Sequence, residues 1–145
     1  RVEVLGGLDG RKMSKSYNNT IPLFVSEKKL QKLVRKIKTN SLEPGEPKDP
    51  STCTLFQIYS AFATADETEA MRTEYANGIG WGEAKNRVFE LLNEQLREPR
   101  ERYNALMEDP GHIEQVLIKG AERARAEAAP FMDRLRQAAG LGRFV

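Results

Sequence analysis

Gly6-Gly7-Leu8-Asp9-Gly10-Arg11-Lys12-Met13-Ser14-Lys15-Ser16 is where this 145-residue chain changes character. Before it, Val2-Glu3-Val4-Leu5 is short and β-prone, and three glycines in five residues then break any regular element. Glycines there also leave a backbone that can approach a ligand closely. After it, Tyr17-Asn18-Asn19-Thr20 is turn-rich, Ile21-Pro22-Leu23-Phe24 is a brief apolar anchor, and from Ser26 the helical period takes over. The expected architecture is a strand-and-loop segment over residues 1–24, followed by a mainly α region over residues 25–145.

The helical region divides at its own punctuation. Ser26 is a good N-cap, with Leu30, Leu33, Val34 and Ile37 on one face of the helix it opens. Residues 43–50 carry three prolines and read as an extended connector. Ser51 or Thr52 is expected to cap a second helix bearing Leu55, Phe56, Ile58, Tyr59 and Phe62. Asp66 and Glu69 have capping-box spacing for a third helix, ending by Gly78. Trp81 anchors a glycine turn, and a fourth helix from about Glu83 carries Val88, Leu91, Leu92 and Leu96, with a kink or restart expected at Pro99. Asp109-Pro110 opens a last helix, interrupted at Pro130 and ended by Gly140 or Gly142. Tyr59, Phe62, Tyr75 and Tyr103 read as core residues rather than platforms for stacked bases.

Composition narrows the function classes. At 39% hydrophobic and 30% charged, the chain is a foldable globular one, without the roughly 18 uninterrupted apolar residues of a membrane span. Cys53 is the only cysteine and His112 the only histidine, so the chain alone builds no disulfide framework and no structural zinc site. No metal ligands are assigned, and a reducing, cytoplasmic setting is expected. His112 reads as a surface residue near a helix start and Cys53 as a partly buried helix residue. The chain opens on Arg1 rather than Met, which predicts a piece of a longer polypeptide.

From Arg11 to Lys38 nine basic residues face Glu27 alone, a density that attracts polyanions but that a solvated helix face also explains. Lys119, Arg123, Arg125, Arg134, Arg136 and Arg143 form a second basic series, interleaved with Glu114, Glu122, Glu127 and Asp133, so surface ion pairing explains it as well. Lys12-Met13-Ser14-Lys15-Ser16 is more telling. Two ammonium groups three residues apart can bracket a polyphosphate, while Ser14, Ser16 and nearby backbone N–H groups donate hydrogen bonds. Cations aimed at a leaving pyrophosphate lower the barrier to nucleotidyl transfer without acting as acid or base. The stretch lacks the G-x-x-x-x-G-K-[ST] pattern of a P-loop.

Lys12 to Ser16 spells KMSKS, the signature loop of class I aminoacyl-tRNA synthetases. Gly7 to Ile21 with the Lys-rich helix after it, Gly80 to Lys85, Glu101-Arg102-Tyr103, Gly120 to Ala124 and Gly140 to Arg143 closely resemble the bacterial tryptophanyl-tRNA synthetase family. The resemblance covers essentially the whole chain but only the C-terminal portion of the family's length. It implies that residues 1–24 are the edge of a Rossmann-like α/β catalytic domain and that residues 25–145 form a helical bundle of the anticodon-binding type. It further implies activation of tryptophan by ATP with magnesium, then esterification of a tryptophan-specific tRNA.

Lys12 and Lys15 then take the catalytic role, Lys15 chiefly at the departing pyrophosphate. Met13, Ser14, Ser16 and the backbone of Val2 join them in holding ATP. Contacts with tRNA fall to Lys28, Lys32, Arg35 and Lys36 on the basic helix and to Arg123 and Arg134 near the end. The family's HIGH-like motif and amino-acid pocket lie on an N-terminal catalytic part outside this sequence, so the chain alone is expected to be inactive. The parent is expected to be a homodimer without membrane association. A tyrosyl-type synthetase, or a non-catalytic helical module that binds RNA or protein, remains an alternative.

Overall fold

The structure, a computed structural model, describes residues 4–141. Five helices follow the loop: α1 (Glu27–Lys36), α2 (Thr54–Ser60), α3 (Ala65–Ala76), α4 (Trp81–Glu108) and α5 (Pro110–Ala138). The chain forms two compact units divided after Glu101. Among the described residues no helix is long and apolar enough to cross a membrane.

Periodicity builds the core of the first unit. Leu30 and Val34 of α1, with Ile37 just beyond it, repeat every three or four residues, and Ala84, Val88, Leu92 and Leu96 of α4 every four. Each spacing returns to one helix face, so both elements offer a continuous apolar stripe. Leu55, Phe56 and Ile58 of α2 and Met71 and Tyr75 of α3 complete the cluster. Tyr75 is fully buried, edge-to-face with Phe56 at 5.2 Å and with Trp81 at 5.8 Å. Tyr59 and Phe62 pack against this core, as expected of them, whereas Tyr103 belongs to the second unit and is 39% exposed. In that unit α5 buries none of its described residues.

Several boundaries differ from the sequence expectation, for local reasons. Ser51 and Thr52 do not cap α2, because their hydroxyls are bonded to the Asp49 carboxylate at 2.7 and 3.1 Å; Cys53 takes the cap position. The capping box of α3 lies two residues earlier than expected: Thr64 N–H donates to the Glu67 carboxylate at 2.8 Å, and Glu67 N–H donates back to Thr64 Oγ1. Trp81 is the first residue of α4 rather than the centre of a turn. Both long helices run through their prolines without a break, although an interior proline costs about 3 kcal/mol. Pro99 and Pro130 are exposed, where water is available to the carbonyl that a proline leaves unpaired. Asp109 does cap α5, accepting from His112 N–H at 3.0 Å, and Gly140 with φ +70° ends it. Cys53 is partly buried and His112 exposed, as read from the sequence.

The strand expected ahead of the glycines is not formed at Val4 and Leu5, and Val2 lies outside the described residues. Only an isolated antiparallel bridge joins Gly6 to Lys12. A strand needs a partner along its length, and here only two bonds, Met13 N–H to the Leu5 carbonyl and Gly7 N–H to the Arg11 carbonyl, flank that bridge.

The connector is compact rather than extended. Lys48 is only 3% exposed; its Nζ donates to the carbonyls of Glu43 and Glu46, both at 2.9 Å, and lies 5.4 Å from the centre of the Trp81 ring. Its own N–H donates to the Tyr75 carbonyl at 2.9 Å, and Gly45 N–H to the Gly78 carbonyl at 2.8 Å. Gly78, at φ +82°, has its backbone so close to Gly45 that a Cβ would collide with it. A buried ammonium is tolerable only with such partners. Lys48→Met is therefore expected to lose about 1–3 kcal/mol of stability through the two orphaned carbonyls, read as a lower midpoint in urea; an unchanged midpoint would show that the ammonium does not hold the connector.

Candidate functional site

The Lys12–Ser16 loop stands on the first unit as a stiff turn with two exposed cations. Gly7 N–H donates to the Arg11 carbonyl at 2.7 Å, and Gly10 N–H to the Gly7 carbonyl at 3.0 Å. Gly10 has φ +83°, a conformation that glycine adopts without the strain a side chain would bring. Lys15–Tyr17 then form one 3-10 turn, closed at Asn18 in the left-handed region. Lys38 N–H donates to the Leu8 carbonyl at 2.8 Å, which ties the loop to the segment leaving α1.

Side chains sort by chemistry. Met13 is half-buried and lines an apolar niche of about 90 Å³ with Leu5, Ile21, Ile58, Phe62, Leu92 and Leu96. Lys12, Lys15 and Ser16 are exposed and Ser14 is half-buried, its Oγ 2.8 Å from that of Ser16. Among the described residues neither lysine ammonium has an ion-pair partner, whereas Arg11 pairs with Asp9 at 2.7 Å and lies 4.5 Å from the centre of the Tyr17 ring. The loop therefore presents two free cations at positions 12 and 15 and retains the third for itself.

The centre of this turn is Asn19, one of two adjacent asparagines in the turn-rich stretch Tyr17–Thr20 and no candidate by residue type alone. It is 2% exposed. Its Oδ1 accepts from Ser14 N–H at 2.8 Å, and its Nδ2 donates to Asp9 Oδ1 at 2.7 Å, to the Lys12 carbonyl at 3.2 Å and to the Arg11 carbonyl at 3.4 Å. Its own carbonyl accepts from Leu8 N–H at 2.9 Å. Gly7 makes room for it, since a Cβ there would stand 2.5 Å from Asn19 Cγ. Nothing in the local spacing separates Asn19 from its neighbour Asn18, which is exposed.

Of the residues expected to contact tRNA, Lys28, Lys32, Arg35 and Lys36 are all exposed on α1, opposite the buried stripe. Lys85, which the sequence reading gave no role, donates from Nζ to the Arg35 carbonyl at 3.1 Å, and partial burial pulls its pKa down. Arg123 and Arg134 are exposed on α5 in the second unit, the latter 5.8 Å from the centre of the Phe131 ring. Among the described residues no three His, Cys, Asp or Glu side chains are grouped to hold a metal ion.

The family model of class I tRNA synthetases (W and Y) matches residues 1–97 of this chain, which include the whole loop. The chain belongs to that family. It is 52% identical over 143 residues to a tryptophan–tRNA ligase of Pseudomonas syringae pv. tomato, covering 99% of this chain and 32% of the relative. A tryptophan–tRNA ligase of Neisseria meningitidis serogroup A is 54% identical over 140 residues, covering 97% of this chain and 42% of its own. Among solved structures, the tryptophanyl-tRNA synthetase of Campylobacter jejuni, complexed with ADP and tryptophan, superposes with a TM-score of 0.88 at 40% identity, covering 97% of this chain and 44% of that one. The chain thus spans about a third to two-fifths of the length of these curated relatives.

For this class I synthetase chain the loop geometry makes a pH prediction. Hydrogen bonds from Asn19 and then Arg11 hold the Asp9 carboxyl down at about 2, below its ordinary 3.8. A depressed carboxyl adds stability above the unfolded-state value and loses it as pH falls through the folded one. Carboxyl ¹³C titration should therefore place Asp9 near 2, with loop order intact at pH 4 and fading below it; a midpoint at or above 3.8 would mean that these bonds do not persist in solution.

Proposed function

We propose that this chain supplies the pyrophosphate-stabilising loop and the tRNA-facing helices of a tryptophan–tRNA ligase. The observation that carries the proposal is the arrangement of Lys12–Ser16: Met13 half-buried beside an apolar niche, Lys12 and Lys15 exposed, and the hydroxyls of Ser14 and Ser16 beside them. Residues 1–24 then belong with the catalytic domain and residues 25–145 with tRNA. Tryptophan as the amino acid is supported by the named relatives at 52% and 54% identity.

In this reading a carboxylate oxygen of tryptophan attacks the α-phosphorus of ATP. The bond to the bridging oxygen of the β-phosphate breaks, and pyrophosphate leaves with the electron pair. Magnesium enters with the ATP phosphates as part of the substrate. Lys15 neutralises charge that grows on the departing group, and Lys12 holds the same phosphates, with Ser14 and Ser16 as hydrogen-bond donors. Neither lysine transfers a proton; their work is charge stabilisation by groups already in place. Transfer to tRNA follows in a second step, for which the exposed α1 cations and Arg123 and Arg134 offer phosphate contacts.

Lys15→Ala in the full-length enzyme should slow ATP–pyrophosphate exchange on the order of a hundredfold, with tryptophan affinity within about twofold of the parent; near-normal exchange would refute the assigned role. Lys32→Glu with Arg35→Glu should weaken tRNA binding and lower the slope of log K against log salt by about one for each phosphate that is no longer neutralised, as titrations at several ionic strengths would read. An unchanged slope would assign those cations to solvent.

A further inference from the structure

We propose that Asn19 is a positioning residue of the phosphate loop, holding Lys12 and Lys15 in the geometry in which they meet ATP. This rests on the function proposed above, but it adds a residue outside the Lys12–Ser16 motif. Asn19 touches neither lysine side chain. Its amide joins the limb that enters the motif, through Asp9 and the carbonyls of Arg11 and Lys12, to the Ser14 N–H within it. Bonds to the Lys12 carbonyl and the Ser14 N–H bracket Met13, whose side chain lines the apolar niche. The backbone between the two cations is thus held from both sides.

Only an amide meets these demands. The acceptor is used by an N–H and the donor group by a carboxylate and two carbonyls. Aspartate at position 19 keeps the acceptor for Ser14 but places a second carboxylate against Asp9, and alanine removes both functions. Burial matters too: at 2% exposure the amide is sheltered from water that would compete for its partners. The arrangement also avoids a carboxylate as the clamp on the lysines themselves. A salt bridge would hold the loop by consuming the charges that the substrate needs, whereas a neutral side chain bonded to backbone leaves both ammonium groups free.

The test uses the full-length enzyme with Asn19→Asp, Asn19→Ala, Lys15→Ala and the Lys15→Ala/Asn19→Asp double variant, and with Asn18→Gly as the control at the exposed neighbour. ATP–pyrophosphate exchange gives kcat and KM, and thermal melting reports folding. Asn19→Asp and Asn19→Ala should lower kcat about ten- to a hundredfold, the scale expected when reacting groups are displaced by about 1 Å, with the KM for tryptophan within twofold. Asn18→Gly should leave kcat unchanged. On the Lys15→Ala background Asn19→Asp should cost several-fold less than in the parent, the non-additivity of groups that act together.

Full additivity of the two changes overturns the inference, as does a loss of kcat that tracks the fraction unfolded at the assay temperature or an equal loss of tryptophan binding. Near-normal exchange by Lys15→Ala instead removes the proposed function, and this inference with it. A slow Lys15→Ala enzyme with an additive Asn19 effect removes this inference alone.

Discussion

In the proposed function the loop presents free positive charge to a polyanion and so cannot be held in shape by that charge, and much of the first unit's local structure fits this constraint. Lys12 and Lys15 repel each other and are strongly hydrated, so their backbone has no electrostatic reason to stay folded. Order comes instead from contacts that leave both ammonium groups free: the buried Asn19 amide with its Asp9 partner, the Arg11–Asp9 pair and the close approach at Gly7. The ammonium tips are left exposed, as the proposed contact with phosphate requires.

These contacts need a rigid floor, and the helical core supplies it. Leu92 and Leu96 belong to the core stripe of α4 and line the same niche as Met13, so one stripe both packs the helix and borders the loop. Tyr75 connects α3 to α2 and to the start of α4 through its ring contacts, while its backbone carbonyl receives the connector through Lys48. The Leu8 carbonyl, bonded to Lys38 N–H, joins the loop to the end of the basic helix α1. The elements proposed to meet ATP and those proposed to meet tRNA on α1 thus share one compact unit.

Much of this was legible from residue types and spacing. The stripes of α1 and α4 follow the helical period, Asp109-Pro110 marks the start of α5, and the cationic pentapeptide identifies itself. What escaped depended on geometry between residues that no period relates. Ser51 and Thr52 look like caps until Asp49 is seen to occupy their hydroxyls, and Lys48 looks like a solvated charge until Trp81 and two carbonyls enclose it. Asn18 and Asn19 are the same residue type in a turn; only the fold makes one a surface position and the other the hub of the loop. Of the kink or restart expected at the prolines, no restart occurs, because an average penalty for helix interiors does not forbid an exposed proline in a long, otherwise favourable helix.

The pairing of Arg11 with Asp9 has a bearing on how the loop behaves at a distance. Although the stretch from Arg11 to Lys15 contains three basic side chains, one is matched by a neighbouring carboxylate, so the polyphosphate of the proposed function would meet the field of a divalent rather than a trivalent centre. At physiological ionic strength that field decays over roughly 8 Å. Under the proposed function, attraction from farther away would come from the denser array on α1, leaving the loop to act at close quarters, where selectivity for a departing group matters more than capture.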